Sequence, residues 1–370
     1  MTVPALRVMV ISTSRSDLGL LVPVVHGAMA DARFAPRLVI TGTHLAEGTP
    51  TASELSGLPA VRLPRPNDSL GLIHQTALLA ELGASDVALV LGDRLELLEA
   101  LLPLIRSRVV IAHCSGGEKT AGAWDDQVRD AVTRCAHLHY PAHAHAGAAL
   151  RARGEQAWRI AEVGEPGLDA IRTQPRLPPA ALSERCGRLP TRADLVIAVH
   201  PVTGVPGELA QILDAIASLA ASWPGALFLS SPNGDPGSEQ IRTAWAELAK
   251  NSPAGRIVPL ANHGADFFRA LTAACGVVVG NSSSGLVEAP SLGTPTVDVG
   301  TRQAGRLRGP SVVGCPFING PNLIAAVQQA LAQRDQASPD TNPYGDGRTV
   351  PRLLDHLAAH VRHPAILIKP

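Results

Sequence analysis

The sequence predicts an α/β protein of two Rossmann-like, doubly wound domains, and three observations carry that expectation. The chain has 370 residues, more than one hydrophobic core usually serves. Short β-branched runs alternate with longer helix-like segments, the pattern of a parallel sheet covered by helices on both faces. A Pro-rich stretch at 173–180, TQPRLPPA, interrupts the alternation, which then begins again. The expected domains are therefore 1–172 and 181–348, with the stretch between them as linker.

In the first half the strands are expected at LRVMVIS, RLVITGT, VALVLGD, VVIAHCS, HLHYPA and RIAEVG, each bounded by polar, Gly or Pro residues. Helices such as ELLEALLPLIRS lie between them. In the second half the strands are LVIAVHP, ALFLSSP, RIVPLAN, VVVGNSS and PTVDVG, separated by helices such as ELAQILDAIASLAASW and SEQIRTAWAELAK. The βα unit recurs as architecture, with no residue-level repeat. Ligands of such sheets bind beyond the carboxyl ends of the strands, so the expected site is a cleft between the halves lined by polar clusters at those ends.

Composition narrows the partner. Hydrophobic residues make up 45% and charged residues 17%, as in a folded globular chain. Lys plus Arg and Asp plus Glu both number 32, so no charge excess recommends a nucleic acid or an anionic membrane. A small molecule is expected instead. Cys114, Cys135, Cys186, Cys275 and Cys315 are far apart and form no CxxC pair, which suggests neither a zinc site nor a disulfide framework. The N-terminal apolar run is short and no apolar stretch reaches the about 18 residues a membrane span needs. The expected location is the cytoplasm.

The segment VVVGNSSSGLVEAPSLGTP places Asn281, Ser282, Ser283, Ser284 and Gly285 between a strand and a helix expected to contain Glu288. Backbone N–H groups and hydroxyls at a helix start suit phosphate oxygens, and Glu288 suits ribose hydroxyls. A Ser-rich cap and turn is the alternative reading. Near other strand ends stand Arg15 in STSRSD, His200 in AVHPVTG, and Arg302 and Arg306 in GTRQAGR, all suited to a diphosphate. The carboxylate candidates are Asp93 in LGDR, Glu118 in HCSGGE, and Asp125 and Asp126 in WDDQVRDAV. Burial beside apolar strands would raise the pKa of Asp93 or Glu118 toward neutrality, while a cap or an ion pair is the structural alternative for each. His113 and Cys114 do not suggest a thiol nucleophile with its base, because neighbours in a strand point to opposite faces.

Assembled in order, TSRSDLGLLVP, ITGTHL, GDR, GGE with DDQVRDAVTRCAHLHY, HPVT, SPNGDPGS, GNSSSGLVEAPSLGTP, GTRQAGR and NPYGDGRTVPRLL resemble the hydrolysing UDP-N-acetylglucosamine 2-epimerases over nearly the whole chain. GNSSSG with GTRQAGR is similar to the hydrolysing branch; the non-hydrolysing branch carries a different Ser-Gly-Gly pattern. The resemblance implies a glycosyltransferase-B-type fold, the nucleotide largely on the second domain, and a C-terminal helix over 349–370 returning to the first. It implies elimination of UDP across C1 and C2, then hydration of the glycal to N-acetylmannosamine, with no metal ion or nicotinamide cofactor. Asp93, Glu118, Asp125 and Asp126 would be the acid/base set, with His200 also in the catalytic group. Arg15, Asn233 of SPNGDPGS, His200, Asn281, Ser282, Ser283, Ser284, Gly285 and Arg302 would hold the nucleotide, and Glu288 the ribose. A homodimer or homotetramer is the family expectation.

Two positions depart from the family pattern. Leu91 stands where the pattern HGDR has histidine, and Ser115 where HIEGGE has glutamate. Serine does not carry protons near neutral pH as a carboxylate does. The expectation is an epimerase-hydrolase of a UDP-linked 2-acetamido sugar. The alternatives are a glycosyltransferase on the same fold, marked by dependence on an acceptor, and a weakly catalytic nucleotide-sugar-binding protein.

Overall fold

A computed structural model describes residues 4–45, 55–63, 85–120, 125–202, 204–232 and 237–369. It divides into two compact units, one of Met1–Glu118, Asp125–Arg172 and Gly347–Pro370, the other of Lys119–Trp124 and Thr173–Asp346.

The first unit holds strands β1 (Leu6–Ser12), β2 (Phe34–Ile40), β3 (Ala60–Arg62), β4 (Val87–Leu91), β5 (Val110–Cys114) and β6 (Leu138–Tyr140) in the order β3-β2-β1-β4-β5-β6. Every neighbouring pair is parallel. The second unit repeats the design with β7 (Leu195–Ala198), β8 (Leu227–Leu229), β9 (Ile257–Pro259), β10 (Val277–Gly280), β11 (Thr296–Val299) and β12 (Val312–Cys315), in the order β12-β11-β10-β7-β8-β9. In each sheet the direction of winding reverses between the first and fourth strands, which opens a crevice at their carboxyl ends. β4 and β5 are buried along their whole length. Such continuously apolar strands follow from helices covering both faces, which is also why each sheet has a separate core on either side.

All but one of the expected strands, and the helices expected between them, are present with bounds within three residues, and Leu6–Ser12 and Ser238–Lys250 have the expected bounds. RIAEVG is not a strand. It makes only an isolated bridge from Ile160 to His139, followed by bonds from Ala161 N to His139 O and from Val163 N to Pro141 O. Its neighbour β6 is three residues long and offers too short a ladder. β3 and β12 were not expected; they are edge strands of three and four residues, too short to show alternation.

The helix Thr349–His360 completes the first unit by placing Val350, Leu353, Leu354 and Leu357 in its core. Asp169, on the helix Gly167–Thr173, caps it from outside: its two carboxylate oxygens accept the Thr349 and Val350 N–H groups, both at 2.8 Å. These are donors that a helix start otherwise leaves unsatisfied. Beyond the helix, the fully buried Arg159 donates to the carbonyls of Ala365, Ile366 and Ile368. No helix among the described residues is long and apolar enough to cross a membrane.

Replacing Asp169 with Ala should weaken this attachment by about 1–3 kcal/mol. The measurement is amide exchange, expected to quicken first over residues 349–360. Unchanged exchange there would show that the apolar face alone holds the helix.

Candidate active site

In the first unit the carboxyl ends of β1, β4, β5 and β6 form one rim. After β4 come Gly92, Asp93 and Arg94; after β5 come Ser115, Gly116, Gly117 and Glu118. The organising group is Arg129, only 1% exposed and carried on the helix Asp125–Cys135. It pairs with Asp93 through Nη2, with Asp126 Oδ1 at 2.6 Å through Nη1, and donates Nη1 to the Glu118 carbonyl at 3.2 Å. One guanidinium thus draws together the turn after β4, the turn after β5 and a helix start. Asp125 stands beside Asp126 in that helix's first turn, where the dipole favours negative charge.

Of the two readings of Asp93, the ion pair is the one present, since its carboxylate pairs with Arg129. Glu118 is buried, and its Oε1 lies 4.0 Å from His143 Nε2. His143 Nδ1 accepts the Ala146 N–H at 3.1 Å, so Nε2 bears the hydrogen that faces Glu118. Below the rim, His113 Nε2 donates to the Gly92 carbonyl at 2.7 Å and Nδ1 lies 3.1 Å from Thr133 Oγ1. Burial pushes the His113 pKa down to about 3, so the ring is neutral and structural. Burial also pushes the Cys114 thiol well up, leaving no thiolate.

Two further residues of this rim, Asp17 and Glu165, come from packing that a motif string does not display. Asp17 is buried and accepts from Thr13 Oγ1 at 2.9 Å; burial raises its pKa while Arg94, 4.0 Å away, pulls it back. Glu165 Oε2 accepts the Ser115 hydroxyl at 2.8 Å. Ser115 itself has φ 59°, a left-handed conformation unusual for a residue with a side chain. Leu91 packs into the unit's core. Arg15 opens the helix Arg15–Met29, but its side chain lies outside the described residues, as does all of Asn233.

In the second unit the crevice lies between β7 and β10. Gly280 has φ 147°, and a Cβ there would collide with the Ala198 carbonyl on β7, so only glycine allows the two strands to come this close. Just beyond, Asn281 Oδ1 accepts His200 N–H at 2.7 Å and Asn281 Nδ2 donates to the His200 carbonyl at 2.9 Å. With its carboxamide Asn281 thus clamps the crevice at the backbone of His200. Its own carbonyl accepts from Arg302 Nη1 at 3.0 Å and Gln303 Nε2 at 2.9 Å, fixing Arg302 at the rim.

Ser282 and Ser284 hydroxyls lie 2.9 Å apart at the start of the helix Ser283–Val287. That helix has five residues, so Glu288 caps its end and does not stand within it. Burial raises the Glu288 pKa and Arg269 opposes the rise. Gly285 serves packing: a Cβ would come within 2.7 Å of Thr296 Cγ2. Arg306 Nε reaches Thr120 Oγ1 at 3.4 Å within the same unit. The described structure therefore brings together Asp93, Glu118 and Asp126 in one unit, and His200, Asn281, Ser282 and Arg302 in the other. Among the described residues no group of three or more His, Cys, Asp or Glu side chains is arranged to hold a metal ion.

Known proteins resemble this chain in sequence and fold. A family described as UDP-N-acetylglucosamine 2-epimerase matches residues 28–358. The UDP-N,N'-diacetylbacillosamine 2-epimerase (hydrolyzing) of Legionella pneumophila is 31% identical over 284 residues, covering 77% of this chain and 74% of its own length. The UDP-N-acetylglucosamine 2-epimerase of Neisseria meningitidis is 28% identical over 93% of this chain and 92% of its own length. In fold, the crystal structure of UDP-GlcNAc 2-epimerase from Neisseria meningitidis bound to UDP-GlcNAc matches with a TM-score of 0.79 at 16% identity, over 96% of this chain and 100% of that one. The two parallel-sheet domains are thus of the glycosyltransferase-B-like type, and the chain belongs to the UDP-N-acetylglucosamine 2-epimerase family.

Proposed function

We propose that this chain is a hydrolysing 2-epimerase that converts UDP-N-acetylglucosamine, or a related UDP-linked 2-acetamido sugar, and water into UDP and a free sugar of N-acetylmannosamine type. The observation that carries the proposal is the Arg129 bracket, which gathers Asp93, Asp126 and the Glu118 turn on one rim of the first unit. The hydrolysing relative in Legionella pneumophila supports the use of water and makes UDP-N,N'-diacetylbacillosamine the second candidate substrate.

The reaction has two halves. In the first, a carboxylate takes the C2 proton, the C1–O bond breaks, its electron pair leaves with UDP, and a C1=C2 double bond remains. In the second, water adds at C1, losing a proton to a carboxylate, while a carboxylic acid delivers a proton to C2 on the opposite face. Both halves need carboxyl groups able to exchange protons beside the ring, and Asp93, Glu118, Asp125 and Asp126 are the set proposed for it. Departure of UDP needs positive charge and hydrogen-bond donors on the diphosphate. Arg302, Ser282, Ser283, Ser284, His200 and Arg15 are proposed to supply them, with Glu288 on the ribose. The buried free thiols suit a reducing cytoplasm.

We infer in addition that the chain pairs with a second copy of itself. On the helix Glu96–Arg106, with the residue before it, Leu95, Leu102 and Ile105 are 51%, 55% and 46% exposed. They form a stripe flanking the face that buries Leu97, Leu101 and Leu104. The helix begins with Glu96 and Glu99 and ends with Arg106. Two copies related by a two-fold axis perpendicular to this helix would run antiparallel, setting acidic start against basic end over the apolar stripe.

Proton NMR in deuterated water, with each candidate nucleotide sugar, should show UDP release and a manno-configured free sugar deuterated at C2. An epimerised sugar still joined to UDP would overturn hydrolysis. Arg129→Leu leaves two carboxylates without their counter-charge and should cost about 3–5 kcal/mol of stability along with turnover. Arg129→Lys keeps the charge but not the fork and should fall between. Near-normal kcat in Arg129→Leu would remove the bracket from the mechanism. Leu102→Glu should halve the mass measured by light scattering; a wild-type monomer would refute the pairing.

A further inference from the structure

The loop that carries Glu118 is bent by three constrained residues. Gly117 has φ 82°, and a Cβ there would come within 2.5 Å of the Ala146 carbonyl; at Gly116 a Cβ would press on His113 and Thr133. Glycine is required at those two. Ser115, with φ 59°, adopts a left-handed conformation while carrying a side chain. Such conformations persist at functional sites only where the surroundings enforce them.

Two bonds hold Ser115. Its N–H donates to the Tyr140 carbonyl at 3.0 Å, fixing the backbone to the end of β6. Its hydroxyl donates to Glu165 Oε2 at 2.8 Å, fifty residues away in sequence. Glu165 is itself buried and anchored, since the chain leading to it follows β6 through the bond from Val163 to Pro141, and the Glu165 carbonyl accepts Thr349 Oγ1 at 3.2 Å. Three residues beyond Ser115, the Glu118 carbonyl is held by Arg129. The loop is therefore pinned at both ends, by an arginine at one and by a carboxylate at the other.

We propose that Glu165 is a positioning residue for the reaction: through Ser115 it holds the loop after β5 in the left-handed path that aims Glu118. The proposal rests on the elimination and hydration reading for its effect on turnover, but not for its effect on the loop. Ser115 has no proton-transfer role in it; the hydroxyl serves to keep a strained backbone in place.

Four variants separate this from a chemical role. Ser115→Ala keeps the strain without the bond, and Glu165→Ala removes the acceptor; each should lower kcat about tenfold or more with KM within about twofold. Ser115→Gly adopts the left-handed conformation unaided, and Glu165→Gln still offers an oxygen to the hydroxyl, so each should stay within about threefold of the wild type. Amide exchange over residues 115–118 is read in parallel and needs no turnover. It should quicken in Glu165→Ala and remain slow in Glu165→Gln.

Loss in Glu165→Gln equal to that in Glu165→Ala, with loop exchange unchanged, would make Glu165 a proton carrier and overturn the proposal. So would Ser115→Gly falling as far as Ser115→Ala. If the wild type turns over no nucleotide sugar, the functional reading fails while the exchange data alone decide the positioning role: unchanged exchange in Glu165→Ala rejects it.

Discussion

A guanidinium that is 1% exposed sets the terms for the first unit. Removing a charge that size from water is costly unless counter-charges and hydrogen bonds replace the lost hydration. Arg129 obtains them from Asp93 and Asp126, and a carbonyl oxygen from Glu118. The requirement runs both ways. Two acidic side chains on different elements are drawn to one place because neither the arginine nor the pair of carboxylates would be stable there alone. The neutral His113, tied to Gly92 and close to Thr133, stiffens the floor under the same turns. Arginine suits this task better than lysine because its planar fork reaches several acceptors at once.

The second unit solves the corresponding problem without charge. Its crevice is closed by the reciprocal amide bonds between Asn281 and the His200 backbone, made possible by the strand approach at Gly280. A neutral clamp leaves the positive charge of Arg302 uncancelled by the clamp itself. That suits a surface proposed to receive a diphosphate, just as the bracketed carboxylates suit a surface proposed to exchange protons. The same strand order thus carries two electrostatic characters.

The fold was largely legible in the sequence because both halves repeat strand and helix with clear apolar runs, and Leu6–Ser12 and Ser238–Lys250 could be bounded from pattern alone. Short edge strands such as Ala60–Arg62 were not, because three residues display no period. The acidic set was legible from its position after strands. Its organiser was less so: Arg129 lies in plain view within DDQVRDAV, yet nothing local distinguishes a buried arginine from a surface one. Glu165 was hidden for another reason, since its partner Ser115 is fifty residues away and meets it only through β6. The clamp made by Asn281 was hidden as well, because an amide beside serines reads as a phosphate ligand until its backbone partners are seen.

The first unit is assembled from three stretches of chain, the last of them the final 24 residues of the sequence, Gly347–Pro370, while most of the second unit is one continuous run from Thr173 to Asp346. The ribosome therefore makes the whole of the second unit before it makes the helix whose start Asp169 caps. A nascent chain holds the apolar face that receives Leu353 and Leu357 open until residues 349–360 have been made. During that interval the part of the molecule that carries the acidic rim keeps this apolar face uncovered, and any event that halts translation shortly before Gly347 yields a second unit with all its residues beside a first unit lacking its closing helix.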